Sequence, residues 1–186
     1  MSAWFLWIDN APVLIDCPQI SEEVINDLKE LSRGFCPKVL LTNRNSHQEA
    51  SILNKKLGWD LIVQEQEAYL LPNVNNLETF SDELTISSGI RILWTPGPTP
   101  GSCVLYAPAP WNVLFCGRLL IPLSNSQIAP KRSRTTFHWT MQQESLLKLR
   151  NWLPLDHLPL LASGQDLELL NNEKLLPWIA WQPSEE

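Results

Sequence analysis

The chain has 186 residues, a formal charge of −6 at neutral pH and an apolar fraction of 44%. That length suits a single domain, residues 1–186, with a full hydrophobic core. The acidic balance excludes general affinity for nucleic acid, which rests on basic patches, and no apolar run is long enough to span a membrane.

Residues 3–8 and 12–16 read as a hairpin turning at Asp9-Asn10, and the apolar start lacks the basic n-region and cleavage site of a signal peptide. Ser21 caps a helix that runs to about Arg33, with Glu22 and Glu23 in its first turn and Gly34 behind it. Val39, Leu40 and Leu41 form a short strand. After the polar break 42–45, Ser46 with Glu49 reads as a capping box, followed by Ala50, Leu53 and Leu57 at helical spacing and by Gly58 as the stop. Thr42 to Gln48 therefore lies where a strand ends and a helix begins, the place where open α/β architectures bind ligands.

Residues 61–63 form a further strand, and 65–71 a short helix stopped by Pro72. Segments 77–80 and 84–86 read as strands around the turn 81–83. Next come a strand from Ile90, a loop rich in proline and glycine, a strand with Cys103, Leu105 and Ala107 on one face of a half-buried sheet, a turn at 107–111 and another strand. Residues 123–136 are polar and carry Lys131, Arg132 and Arg134, so a loop is expected. Thr140 with Gln143 reads as a capping box opening a helix to Trp152, which Pro154 stops. One more strand follows, and residues 172–181 are expected to be a terminal helix. Cys17, Cys36, Cys103 and Cys116 are widely spaced and form no C-x-x-C pair; buried free thiols and a reducing, cytoplasmic location are expected.

Thr42-Asn43-Arg44-Asn45-Ser46-His47-Gln48 and Thr95-Pro96-Gly97-Pro98-Thr99-Pro100-Gly101-Ser102 together resemble two motifs of the metallo-β-lactamase fold superfamily, T-H-x-H-x-D-H and T-P-G-H-T-P-G-S. Val113-Leu114-Phe115-Cys116-Gly117-Arg118 is similar to the family's strand ending in T-G-D, and 158–165 to its last strand ending in P-G-H. The resemblance implies an α+β fold: an αβ/βα four-layer sandwich of two mixed β-sheets flanked by helices. It also implies that Asp16, which closes the second strand, bonds loop backbone amides. It implies further that every metal-ligand position has changed. Asn43 and Asn45 stand at the first two histidine places, His47 at the aspartate and Gln48 at the last histidine. Pro98 and Gln165 replace further histidines, and Arg118 replaces the bridging aspartate.

Amides are weak donors to zinc or iron, proline offers none, and a guanidinium repels a cation. We therefore expect no metal and no cofactor, and a catalytically silent binding or scaffolding protein serving a protein partner or a small anionic ligand. The alternative is a hydrolase acting on an ester, thioester or phosphoester with an atypical or absent metal site. Arg118 beside the helix start at Ser46 is the candidate anion site; if the pocket has closed, Arg118 should instead pair with Asp16 or Asp166. His47 lacks a visible nucleophile to serve and reads as a surface or packed residue. The chain has nine tryptophans: Trp4, Trp7 and Trp94 read as core, while Trp178 and Trp181 read as part of a docked terminal helix or, alternatively, of a partner surface. Oligomeric state is left open.

Overall fold

Strands that are apolar on both faces must be covered on both, and that requirement shapes the molecule. The computed structural model describes residues 2–8, 11–86, 89–154, 157–171 and 173–181. One five-stranded sheet takes β1 (Trp4–Leu6), β2 (Val13–Ile15), β3 (Lys38–Leu40), β4 (Leu61–Gln64) and β5 (Leu77–Phe80) in that order. The first pair is antiparallel and the others are parallel. The second five-stranded sheet has the order β12 (Leu160–Ser163), β9 (Val113–Gly117), β8 (Cys103–Ala107), β7 (Arg91–Trp94), β6 (Glu83–Thr85). Only β12 and β9 run parallel. A small hairpin pairs β10 (Ile121–Pro122) with β11 (Ile128–Ala129).

Alternation along each strand sorts the apolar side chains into three layers. Val13, Ile15, Leu40, Ile62, Ile92, Cys103, Leu105, Ala107, Phe115 and Ala162 fill the space between the sheets. Leu14, Val39, Leu41, Leu61 and Val63 point the other way, against Leu28, Ala50 and Leu53 of helices α1 (Glu22–Ser32) and α2 (His47–Leu57). Leu93, Val104, Tyr106, Leu114 and Leu161 meet Leu146 and Leu149 of α4 (Trp139–Trp152). A short helix, α3 (Glu65–Ala68), follows β4 directly. The two mixed sheets flanked by helices are the sandwich expected from the sequence.

Several local expectations need correction. β8 is buried along its whole length, because α4 covers the face expected to be wet. Segments 77–80 and 83–85 belong to different sheets, so the turn between them is a crossing from one sheet to the other. Ser46 and Glu49 form no capping box. A 3-10 turn, Arg44–Ser46, precedes α2, so Ser46 makes no side-chain cap bond, and the Glu49 carboxylate accepts from the Ile20 backbone amide at 2.7 Å. Nor does Thr140 cap α4: the cap is His138, whose Nδ1 accepts from the Met141 amide at 3.2 Å.

The terminal helix is absent among the described residues, replaced by a bridge from Leu176 to Leu161 and a 3-10 turn, Trp178–Ala180; Asn172 lies outside those residues. Pro177 and the backbone pairing of Leu176 with Leu161 keep the chain extended just before that turn. Trp181 is buried under the Arg150 guanidinium, 4.5 Å above its ring, with the half-buried Trp178 set edge-on against it. Trp4 and Trp94 pack against the inter-sheet core as expected. Trp7 does not: it stacks outside with Phe5, Phe35 and Arg33. The expected turn at Asp9-Asn10 lies outside the described residues.

Candidate functional site

The C-terminal ends of β2, β3, β9 and β12 converge on Asp16 and Thr42. Asp16 is fully buried, and its carboxylate accepts from the Thr42 amide at 2.8 Å and the Thr42 hydroxyl at 2.6 Å; the Ser46 hydroxyl donates to it at 3.4 Å. Burial pushes Asp16 up to about 6, opposed by these hydrogen bonds. Thr42 in turn accepts the Cys103 amide through its carbonyl, joining the two sheets. Gly117 approaches so closely that a Cβ there would lie 2.6 Å from the Thr42 hydroxyl oxygen. The Gly164 amide donates to the Gly117 carbonyl at 2.8 Å.

From this knot the side chains of the first motif diverge. Asn43 is buried; its Oδ1 accepts from the Asn45 amide at 3.1 Å and its Nδ2 donates to the Thr42 hydroxyl at 3.0 Å. Asn45 and Gln48 are exposed. Ser46 is fully buried with its hydroxyl directed to Asp16. His47 is 5% exposed and neither ring nitrogen has a hydrogen-bond partner. Its Nε2 lies 4.0 Å from Oε2 of Glu67, which is itself buried in α3 against Gly101. Burial first, and the charge of Arg44 second, push His47 down to about 4, so the imidazole is neutral near pH 7. Sequence reasoning missed Glu67, since a lone glutamate in a short helix carries no signal.

The proline-rich loop 95–102 is a rigid platform. The Thr99 amide donates to the Ser102 hydroxyl at 2.9 Å, the Thr95 amide to the Ser102 carbonyl at 2.8 Å, and Trp94 Nε1 to the Pro100 carbonyl at 2.8 Å. Gly97, at φ +135°, lets the first turn of α4 sit directly on the loop: a Cβ there would fall 2.4 Å from the Gln142 Cα. Phe137 and His138 donate their amides to the Pro98 and Gly97 carbonyls.

Between this platform, the end of β9 and the loop after β12 lies a cavity of about 210 Å³ whose lining includes Pro98, Arg118, Lys131, Thr135, Gln142 and Gln165. The half-buried Arg118 donates from Nε to Gln165 Oε1 at 3.1 Å and from Nη2 to the Thr135 hydroxyl at 3.2 Å. Gln165 Nε2 donates to Asp166 at 3.3 Å. Burial and the charge of Arg44 lower the Arg118 pKa, with Asp166 opposing them; the guanidinium remains a cation at any working pH. The structure thus brings together Pro98, Arg118 and Gln165 of the expected pocket. Asn43, Asn45, Ser46, His47 and Gln48 stand outside its lining. The expected alternative pairing of Arg118 with Asp16 does not occur, because Asp16 is taken up by Thr42 and Ser46. Of the basic loop, Lys131 reaches the cavity wall. Gln142 had no signal in the sequence beyond its place in a helix.

These residues do not fit a divalent ion. Among the described residues no group of three or more His, Cys, Asp or Glu could hold one. The amide oxygens of Asn43 and Gln165 already accept hydrogen bonds, and a guanidinium stands among them.

The chain has the metallo-β-lactamase fold. It is similar to BLEG-1, a B3 metallo-β-lactamase, at 22% identity over 88% of this chain and 85% of that one, with a TM-score of 0.65. It is also similar to TTHA1623, solved in a di-iron-bound form, at 20% identity over 88% and 86% with a TM-score of 0.66, and to ETHE1 from Myxococcus xanthus at 17% identity over 93% and 72% with a TM-score of 0.66. Hydrolases, among them an N-acyl homoserine lactone lactonase, are found among these neighbours. No family model matches the chain, and no curated protein matches it by sequence.

Proposed function

We propose that this protein keeps the metallo-β-lactamase fold without its metal chemistry and works as a binding protein, with the Arg118 cavity as its site. One observation carries the reading. Arg118, which the motif resemblance sets at the family's bridging carboxylate, is a half-buried guanidinium hydrogen-bonded to Gln165, which the resemblance sets at a histidine. A cation fixed there opposes a second cation, and the amide oxygen that would face a metal is already used. The cysteines, none of them in a disulfide, support a reducing, cytoplasmic setting.

The test is elemental analysis of the purified protein after exposure to excess zinc, manganese and iron. Less than one specifically bound ion per chain is expected. A stoichiometric, EDTA-sensitive ion that raises the melting temperature would sink the proposal. It would favour the second reading, hydrolysis of an ester, thioester or phosphoester, which the hydrolases among the structural neighbours keep open.

A further inference from the structure

The cavity beside Arg118 has a second polar feature besides its charge. Gln142 is 1% exposed and lines the cavity; its Nε2 donates to the Leu119 carbonyl at 3.2 Å, and its Oε1 accepts no hydrogen bond. The carbonyl fixes which way the amide faces, since turning it would set two oxygens against each other. What remains is a buried acceptor without a donor, which costs free energy unless a donor reaches it.

Across the cavity the charge is of the opposite kind. Arg118 uses Nε and Nη2 on Gln165 and Thr135, which leaves about three of its five N–H donors for another acceptor. Lys131 shares the lining, and among the described residues Asp166 is the one carboxylate in it. The local balance is therefore positive in a chain whose net charge is −6. Pro98 and Ile121 add an apolar wall. An apolar cavity of about 150 Å³ holds benzene, so about 210 Å³ has room for roughly eight non-hydrogen atoms.

The geometry points to a small hydroxylated anion as the ligand: a carboxylate or phosphate group on Arg118 and Lys131, and a hydroxyl, a few atoms away, donating to Gln142 Oε1. This rests on the metal-free binding reading and adds the ligand's chemistry to it. Short hydroxy acids and the phosphate esters of two-carbon diols have the required size and groups.

Two matched pairs test it by calorimetry at fixed ionic strength, each with and without EDTA: 3-hydroxybutyrate against butyrate, and 2-hydroxyethyl phosphate against ethyl phosphate. In at least one pair the hydroxylated member should bind about five- to ten-fold more tightly, the effect of one added hydrogen bond; the responding pair identifies the anionic group. Gln142→Leu should erase that preference while leaving the anion's own binding, and Arg118→Ala should weaken both members alike. Because the pairs are compared on the natural protein, a variant that fails to fold does not decide the matter. Equal affinities within both pairs, or no binding at all, overturn the inference and leave the metal-free reading standing. Binding that appears with added metal and disappears with EDTA overturns both.

Discussion

His47 gives the sharpest test of how the site region is put together. Its ring is nearly inaccessible and both nitrogens lack partners, which pushes its pKa from 6.5 to about 4. The unfolded chain therefore takes up a proton that the folded chain refuses. The stability this group contributes is fully present above about pH 6.5 and is lost as the pH falls from there to about 4. At about 1.4 kcal/mol per pH unit, the loss is about 3 kcal/mol. Asp16 works in the opposite direction. Raised to about 6, it takes up a proton more readily when folded, so the folded state gains as the pH falls from about 6 toward 3.8. The two slopes nearly cancel in the natural protein, and the comparison must be with His47→Gln, which is neutral at every pH. Urea unfolding followed by tryptophan fluorescence at pH 7 and pH 4 measures it. The natural protein's stability relative to the variant should fall by about 3 kcal/mol between the two. If Glu67, 4.0 Å away, instead holds His47 as an imidazolium, the natural protein will gain on the variant as the pH drops. That result, or no change, refutes burial as the governing effect.

Other outcomes follow from the packing. Cys103 and Cys116 are buried, and burial raises both thiol pKa values; Cys17, also buried, is pushed up to about 12. A thiol reagent should therefore modify the exposed Cys36 at once and the other three only on denaturation, and rapid native labelling of Cys103 and Cys116 would show their strands to be misplaced. Gly97→Ala would set a Cβ 2.4 Å from the Gln142 backbone at φ +135° and should cost about 3 kcal/mol or more. Gly34→Ala, with φ +83° and nothing within 4 Å, should cost only about 1 kcal/mol; equal melting temperatures for the two variants would contradict the contact between α4 and its platform.

The central strands were legible because they are covered on both faces and so read as short apolar runs; β3, β4, β8 and β9 fall close to where the sequence places them. Helix caps were less legible, since distant groups compete for the same side chains. Asp16 takes the Ser46 hydroxyl from thirty positions away and the Ile20 amide takes the Glu49 carboxylate from twenty-nine, which no local motif reveals. The motif resemblance singled out Pro98, Arg118 and Gln165, and the structure brings these three to one cavity. It did not single out Glu67 or Gln142, because each owes its position to a glycine that allows close approach, Gly101 for one and Gly97 for the other. The tail misled for a simpler reason: apolar residues bracketing Pro177 look helical by spacing, yet Leu176 pairs as extended chain with Leu161 of β12 and Trp181 bridges to Ile128.

The manner in which the two sheets are closed at their sides has a consequence for association. On one side the Ser2 amide donates to the Gly164 carbonyl and Trp4 Nε1 to the Ser163 carbonyl, lacing the β1 edge of one sheet to the β12 edge of the other. On the opposite side β5 passes into β6 through the two-residue turn 81–82, and the Trp94 amide donates to the Asp82 carbonyl. The outermost strands are only three or four residues long. An incoming β-strand from another molecule finds little unpaired backbone to align with, which guards against edge-to-edge aggregation. Contacts between side chains on its outer surfaces are accordingly favoured over an extension of its sheets.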